Sequence, residues 1–161
     1  SDVSFQTLLA ESQSGDRPDV FVFDRLHGLG IKTDEPLTRA MLVEFKKPGR
    51  RDYEERYSPM NQVSRYLSEL AGGNIESFDR GRIRVAPDCV FYCYIVADIV
   101  GNLDVHTSSW RTTANGRGRL MDLSGKFRGT IEIIEWADLI SDARARNHAF
   151  IHAAGLSSNA T

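Results

Sequence analysis

Long apolar runs are missing from this sequence: no stretch of the 161 residues approaches the ~20 that a membrane-spanning helix needs. The opening residues carry no signal-peptide pattern, so a cytoplasmic location is expected. Ser1 stands where an initiating Met would, which suggests a processed chain or a domain cut from a longer one. Repeats, low-complexity tracts and a linker long enough to split the chain are also lacking. The organisation expected is one domain over residues 1–156 and a disordered tail over 157–161. Cysteine is scarce: the two present, Cys89 and Cys93, lie in the run VAPDCVFYCYIVADI. On a strand they share a face two pleats apart, too far for a disulfide. No further His or Cys stands nearby to complete a metal site, so they read as small core hydrophobes in a reducing compartment. An excess of positive charge is lacking too. The net charge of −2 counts against a nucleic-acid coat protein, whose footprint is basic overall.

The charge that is present is unevenly spread. From Lys46 to Arg65 six basic residues stand against three acids, and from Arg111 to Arg128 five stand against one. Two local patches on a neutral body suit an enzyme that touches phosphates at one site, and equally suit a solvated surface. Hydrophobic residues make up 41%, enough for a core. The segment Val3 to Gln13 reads as a helix from the spacing of Phe5, Leu8 and Leu9, stopped by Gly15, Asp16 and Pro18. DVFVFD reads as a strand, Arg25 to Thr38 as a loop or ragged hairpin, and RAMLVEFKKP as a second strand closed by Pro48-Gly49. Ser58-Pro59 starts a helix that runs to Ala71 and stops at Gly72-Gly73, with Met60, Val63, Leu67 and Leu70 on one stripe. CVFYCYIVAD, apolar on both faces, reads as a central strand. An irregular segment precedes the strand TIEIIEW. A closing helix follows from Ala137 to Ala154, with Leu139, Ile140, Ala143, Phe150 and Ile151 as expected buried positions. Strands separated by helices predict an α/β fold, a central mixed β-sheet flanked by helices.

RAMLVEFKKP carries the chemistry. Alternation sends Met41, Val43 and Phe45 one way, expected toward a core, and Leu42, Glu44 and Lys46 the other. Opposite charges at i and i+2 in an apolar strand are costly to bury without a purpose. A carboxylate beside an ammonium suits phosphodiester hydrolysis: one holds a divalent metal, the other orients or deprotonates water and screens charge growing on phosphate. A hard cation takes more than one carboxylate, and the preceding strand offers Asp19 beside Glu44. The pattern is Pro18-Asp19, 24 residues, then Glu44-Phe45-Lys46. It resembles the PD-(D/E)XK nuclease superfamily, with Glu at the D/E position. LVEFKKPGR followed by a proline-started helix bearing Gln62 and Tyr66 resembles nuclease-like domains of restriction, repair and anti-phage proteins, often fused to an ATPase.

The resemblance implies a restriction-endonuclease-like core and a metal-dependent nuclease acting on DNA. Asp19, Glu44 and the Phe45 carbonyl would hold Mg²⁺ (or Mn²⁺), and Lys46 would position the attacking water. Gln62 would steady Lys46 or that water, and Glu11 of the first helix would serve the metal's outer shell. Lys47, Arg50, Arg51 and Arg65, close in sequence, would grip flanking phosphates. A fused or associated ATPase and a homodimer are both compatible with this reading.

Plainer readings stand beside it. Glu44 and Lys46 also suit a salt bridge on a half-exposed sheet face. Asp19 suits a turn. Glu11, Gln62 and Lys47 suit a solvated surface, as do His148 and His152, which lack an adjoining acid. Two rival functions follow: a catalytically silent nuclease-like module that binds DNA or docks a partner, and a small regulatory α/β domain with basic residues scattered over all faces.

Overall fold

The computed structural model describes residues 4–7, 20–25, 36–73 and 83–155. The strands are β1 (Ser4–Thr7), β2 (Val20–Arg25), β3 (Leu37–Phe45), β4 (Val85–Val96), β5 (Arg111–Thr112), β6 (Arg119–Asp122) and β7 (Arg128–Ile134). The helices are α1 (Pro59–Ala71), the short α2 (Asn102–His106) and α3 (Trp136–Ala153), with a 3-10 turn over Glu55–Tyr57. One seven-stranded sheet runs in the order β1-β2-β3-β4-β7-β6-β5. Its centre, β3, β4 and β7, is parallel, and both flanks are antiparallel. The expected α/β class with a mixed central sheet is what the chain adopts.

The parallel centre follows from α1, which provides the crossover between β3 and β4 that parallel neighbours require. The Ser58 Oγ accepts the Asn61 backbone N–H at 3.3 Å, and Pro59 occupies the first turn. Gly72 and Gly73 end the helix, Gly73 at φ +69°. Val63, Tyr66, Leu67 and Leu70 are buried and form a core with Ala40, Leu42, Phe91, Cys93, Ile95, Ile131 and Ile133. Cys89 and Cys93 are free and buried in this layer, and burial pushes their thiols up to about 11 and about 12. Gly129 is needed where β7 crosses beside β4: at φ +130°, an added Cβ would lie 1.8 Å from the Phe91 carbonyl oxygen.

Four expectations change. Ser4–Thr7, within the helix expected over Val3 to Gln13, is a strand that pairs antiparallel with β2. Two or three apolar positions fit either period, and pairing to a neighbouring strand overrides a weak local preference. The core face of β3 is the reverse of that expected. Ala40 and Leu42 are 2% exposed, whereas Met41 and Val43 are half-buried and Phe45 is exposed. Both faces of β3 carry apolar residues, so alternation separates them without saying which one α1 covers.

The segment expected to be irregular contains α2 and the β5–β6 extension, strands of two and four residues that are too short to show a period. In α3, finally, Asp138 is the buried residue, while Ile140 is 44% and Phe150 67% exposed and Ala143 is exposed. Leu139 and Ile151 are half-buried. The helix is anchored by its first turn. Asp138 pairs with Arg117 at 2.5 Å and accepts from the Asn115 amide at 3.2 Å. No helix among the described residues is long and apolar enough to cross a membrane.

Leu67→Ala is therefore expected to cost about 2–5 kcal/mol in urea unfolding, as a large-to-small change in a closed core. Phe150→Ser is expected to stay within about 0.5 kcal/mol of the parent, as an exposed substitution does. A loss at Phe150 equal to that at Leu67 would mean that α3 is packed.

Candidate functional site

The three parallel strands end together: Phe45 pairs with Val96, and Val96 with Ile134. In open α/β sheets, the rim outside the carboxyl ends of the strands is where ligands bind. Glu44 and Lys46 stand at this rim, on the face that α1 covers. Their side chains are 14% and 8% exposed, and the Lys46 Nζ lies 2.5 Å from the Glu44 Oε1. The same ammonium also donates to the Gln62 Oε1. Gln62 reaches it from the first turn of α1, whose start is fixed by the Ser58 cap. The structure thus brings together three of the residues singled out in the sequence. Glu44 and Lys46 form an enclosed pair with a third ligand, rather than a charge pair on a half-exposed face.

Asp19 and Glu11 lie outside the described residues. Val20, which follows Asp19 in the chain, is paired antiparallel with Val43, which precedes Glu44. Among the described residues no group of three or more His, Cys, Asp or Glu is placed to hold a metal ion. The described oxygen donors here include the Glu44 carboxylate, the Gln62 Oε1 and the backbone carbonyls at the end of β3, hard ligands of the kind Mg²⁺ takes. Their chemistry fits such a cation. Their number does not complete a site without a second carboxylate.

The basic loop after Lys46 is tightly held. Its turn closes with the Arg50 N–H donating to the Lys47 carbonyl at 3.2 Å, and Gly49 adopts φ +72° behind Pro48. The Gly49 N–H donates to the Asp98 Oδ2 at 2.6 Å. Asn102 both accepts from the Tyr53 N–H at 3.2 Å and donates to the Tyr53 carbonyl at 2.8 Å. Its own N–H donates to the Arg51 carbonyl at 3.0 Å. That approach needs the glycine at 101, where a Cβ would sit 2.0 Å from the Arg51 oxygen.

Lys47, Arg50 and Arg51 are exposed on this loop. The Arg50 guanidinium lies 4.6 Å from the centre of the Tyr53 ring. Burial pushes the Tyr53 phenol up, opposed by Arg50 and reinforced by Asp98. Tyr66, buried one turn beyond Gln62, is raised by burial and then by Glu69. Arg65 differs from the loop cations: it is half-buried and donates to the Arg56 carbonyl at 2.7 Å, joining the 3-10 turn to α1.

Two rim residues escaped the sequence reading. Trp136 donates its indole N–H to the Lys46 carbonyl at 2.7 Å and stacks on Phe45, with centroids 5.7 Å apart. Asp98 holds the turn after Lys46. Both directly follow strands that read plainly, so a polar or aromatic residue at the carboxyl end of a central strand was the available signal. His148 and His152 are exposed on α3, as a surface pair. Comparison with protein-family models, with curated proteins and with solved structures finds no match to this chain.

Removing one partner of a buried ion pair leaves the other uncompensated. Glu44→Leu alone and Lys46→Met alone are each expected to destabilise by about 3 kcal/mol, whereas the double change Glu44→Leu with Lys46→Met should return to within about 1 kcal/mol of the parent. Urea unfolding of the cycle reads this directly. Simple additivity of the two single losses would show that the pair is not energetically coupled.

Proposed function

We propose that this chain is a metal-dependent phosphodiester hydrolase of the PD-(D/E)XK type acting on DNA. The observation that carries the reading is the Lys46 ammonium, enclosed at the carboxyl end of β3 and bonded to both Glu44 and Gln62. A solvated surface pair has no need of a third, uncharged ligand delivered from a neighbouring helix. A group that must be aimed does.

Glu44, the Phe45 carbonyl and Asp19 would hold the Mg²⁺. Asp19 directly precedes Val20 in the chain, and Val20 pairs with Val43, the residue before Glu44. When bound, the cation supplies charge neutralisation at the phosphate and lowers the pKa of water. The chain's own groups do the rest. Gln62 fixes the direction of the Lys46 amine. That amine orients the attacking water and screens charge growing on the phosphate oxygens. Glu11 would serve the outer shell. Lys47, Arg50 and Arg51, held on a rigid loop beside the site, bind flanking phosphates. Arg65, partly committed to Arg56, contributes less. Three exposed cations gather on this loop, while Arg39, Arg84, Arg128, Arg144 and Arg146 are exposed elsewhere, so the regulatory-domain rival is left to the cleavage and binding assays.

The rival worth carrying is a silent module that binds DNA on the same loop. Lys46→Ala separates the two. Under the hydrolase reading, Mg²⁺-dependent cleavage of supercoiled and linear DNA falls by orders of magnitude. Affinity at fixed salt changes little, because one contact among several is removed. Unchanged cleavage in Lys46→Ala sinks the catalytic assignment, and a parent that binds DNA but cuts it with neither Mg²⁺ nor Mn²⁺ favours the module. Metal gives an independent readout. Mg²⁺ or Mn²⁺ should raise the Tm of the parent, since a ligand of the folded state stabilises it, and should leave Asp19→Ala almost unmoved. Equal shifts in both would remove Asp19 from the site.

A further inference from the structure

The sheet has a second face, turned away from α1, and the hydrolase reading makes no use of it. The ladder sets its rows: Arg39, Val90 and Arg128 lie level across β3, β4 and β7, and Met41, Tyr92 and Thr130 lie level two residues further on. Tyr92 is 41% exposed in the middle of the central strand, and Arg39 and Arg128 are exposed on either side of it. Neither arginine makes an ion pair among the described residues. Two strand spacings separate their Cα atoms by roughly 10 Å.

Among the described acids of this face, Asp122 is taken by Arg111 at 3.0 Å, and Glu132 is half-buried, its carboxyl raised from its ordinary value by burial. Asp88, exposed two residues before Val90, opposes the two arginines.

From this arrangement we infer that the open sheet face binds single-stranded nucleic acid, with a base stacked on Tyr92 and the backbone phosphates held by Arg39 and Arg128. Arginine placed without a carboxylate partner is complementary to phosphate. An exposed ring on a sheet offers stacking to an unpaired base, which any base accepts. Duplex DNA has its bases already stacked, and its grooves are read by a protruding helix or ribbon rather than by a broad sheet face. An acidic peptide would satisfy the arginines and leave the ring unused. This surface lies on the opposite side of the sheet from Glu44 and Lys46. Its existence does not depend on whether that site cleaves anything.

The test is fluorescence anisotropy of a labelled oligothymidylate with the full chain, over a salt series and in chelator, so that no cleavage contributes. Arg39→Ala with Arg128→Ala is expected to lower the salt slope by about 1.4, the share of two phosphate contacts on a single strand. Tyr92→Ala should weaken binding by about tenfold without changing that slope. Asp88→Asn should tighten binding, and Phe150→Ser on α3 should leave it unchanged. A bromodeoxyuridine oligonucleotide should cross-link at Tyr92 on irradiation, a readout that needs no variant. Three results would overturn the inference: parental affinity and slope when Arg39→Ala, Arg128→Ala and Tyr92→Ala are combined; a duplex or polyglutamate competing as well as the oligonucleotide; or a cross-link that maps to the Lys47–Arg51 loop alone. A parent that cleaves with neither Mg²⁺ nor Mn²⁺ while these binding results hold would refute the hydrolase reading and leave this one standing.

Discussion

A lysine side chain with 8% of its surface left to water must find partners for its ammonium within the protein, because a buried cation without them is among the costliest groups a fold can carry. Much of the local architecture answers that requirement. Glu44 supplies the countercharge from two residues earlier on the same strand. Gln62 supplies a neutral acceptor, and it reaches the amine because Ser58 and Pro59 fix where α1 begins. The apolar stripe of α1 is therefore constrained twice: Val63, Leu67 and Leu70 must meet Leu42, Phe91 and Ile95, while the first turn must deliver Gln62 to Lys46. This explains why the charged end of β3 faces the helix. The face that buries Leu42 also carries Glu44 and Lys46, since a strand repeats every second residue.

Rigidity at the rim comes from bonds between loops rather than from regular structure. The turn after Lys46 is fastened to Asp98, the Arg51 and Tyr53 backbone to Asn102, the Ile99 N–H to Glu135 at 3.3 Å, and the Lys46 carbonyl to Trp136. Each bond joins segments that follow different parallel strands, so the rim is cross-braced. A site that has to aim a side chain needs tolerance near half an ångström, and supporting contacts of this kind provide it. The helix that supplies Trp136 is exposed over most of its length, so its first turn is the part that serves the rim.

The sequence discloses those parts of the fold whose physics is local. α1 was legible from Ser58-Pro59 to Gly72-Gly73 because both ends and the stripe are written in neighbouring residues. β2, β3, β4 and β7 were legible as concentrated Val, Ile, Phe and Tyr. Ser4–Thr7 was misread because a four-residue strand is decided by its partner β2. The covered face of β3 was misread because the deciding object, α1, lies elsewhere in the chain. At the site, Glu44 and Lys46 stood out as charges in an otherwise apolar strand, Gln62 stood out through the resemblance, and the three do meet. Asp98 and Trp136 did not stand out. Their roles come from lying next to Gly49 and Lys46, a proximity set by the parallel register and by nothing in their own neighbourhood. The expected burial of Phe150 and Ile140 failed for a related reason: an amphipathic pattern states what a helix is able to bury, while the sheet decides what is covered.

Charge runs show the same limit most sharply. The run from Arg111 to Arg128 looked as basic as the one after Lys46, yet folding disposes of most of it. Arg111 meets Asp122, Arg117 meets Asp138 and Arg119 meets Asp104, two of those acids coming from outside the run. Arg128 is left without an ion-pair partner among the described residues, and across β4 the ladder sets it level with Arg39, which lies far away in sequence. The loop cations Lys47, Arg50 and Arg51 make no ion pair among the described residues either. Among the described residues of this body of net charge −2, cations without an ion pair thus include a group at the carboxyl rim of the parallel strands and a pair near their amino ends on the open face. Pairing, not linear density, decides where a neutral protein is able to hold an anion, because a guanidinium already bonded to a carboxylate must give up that bond before it takes a phosphate.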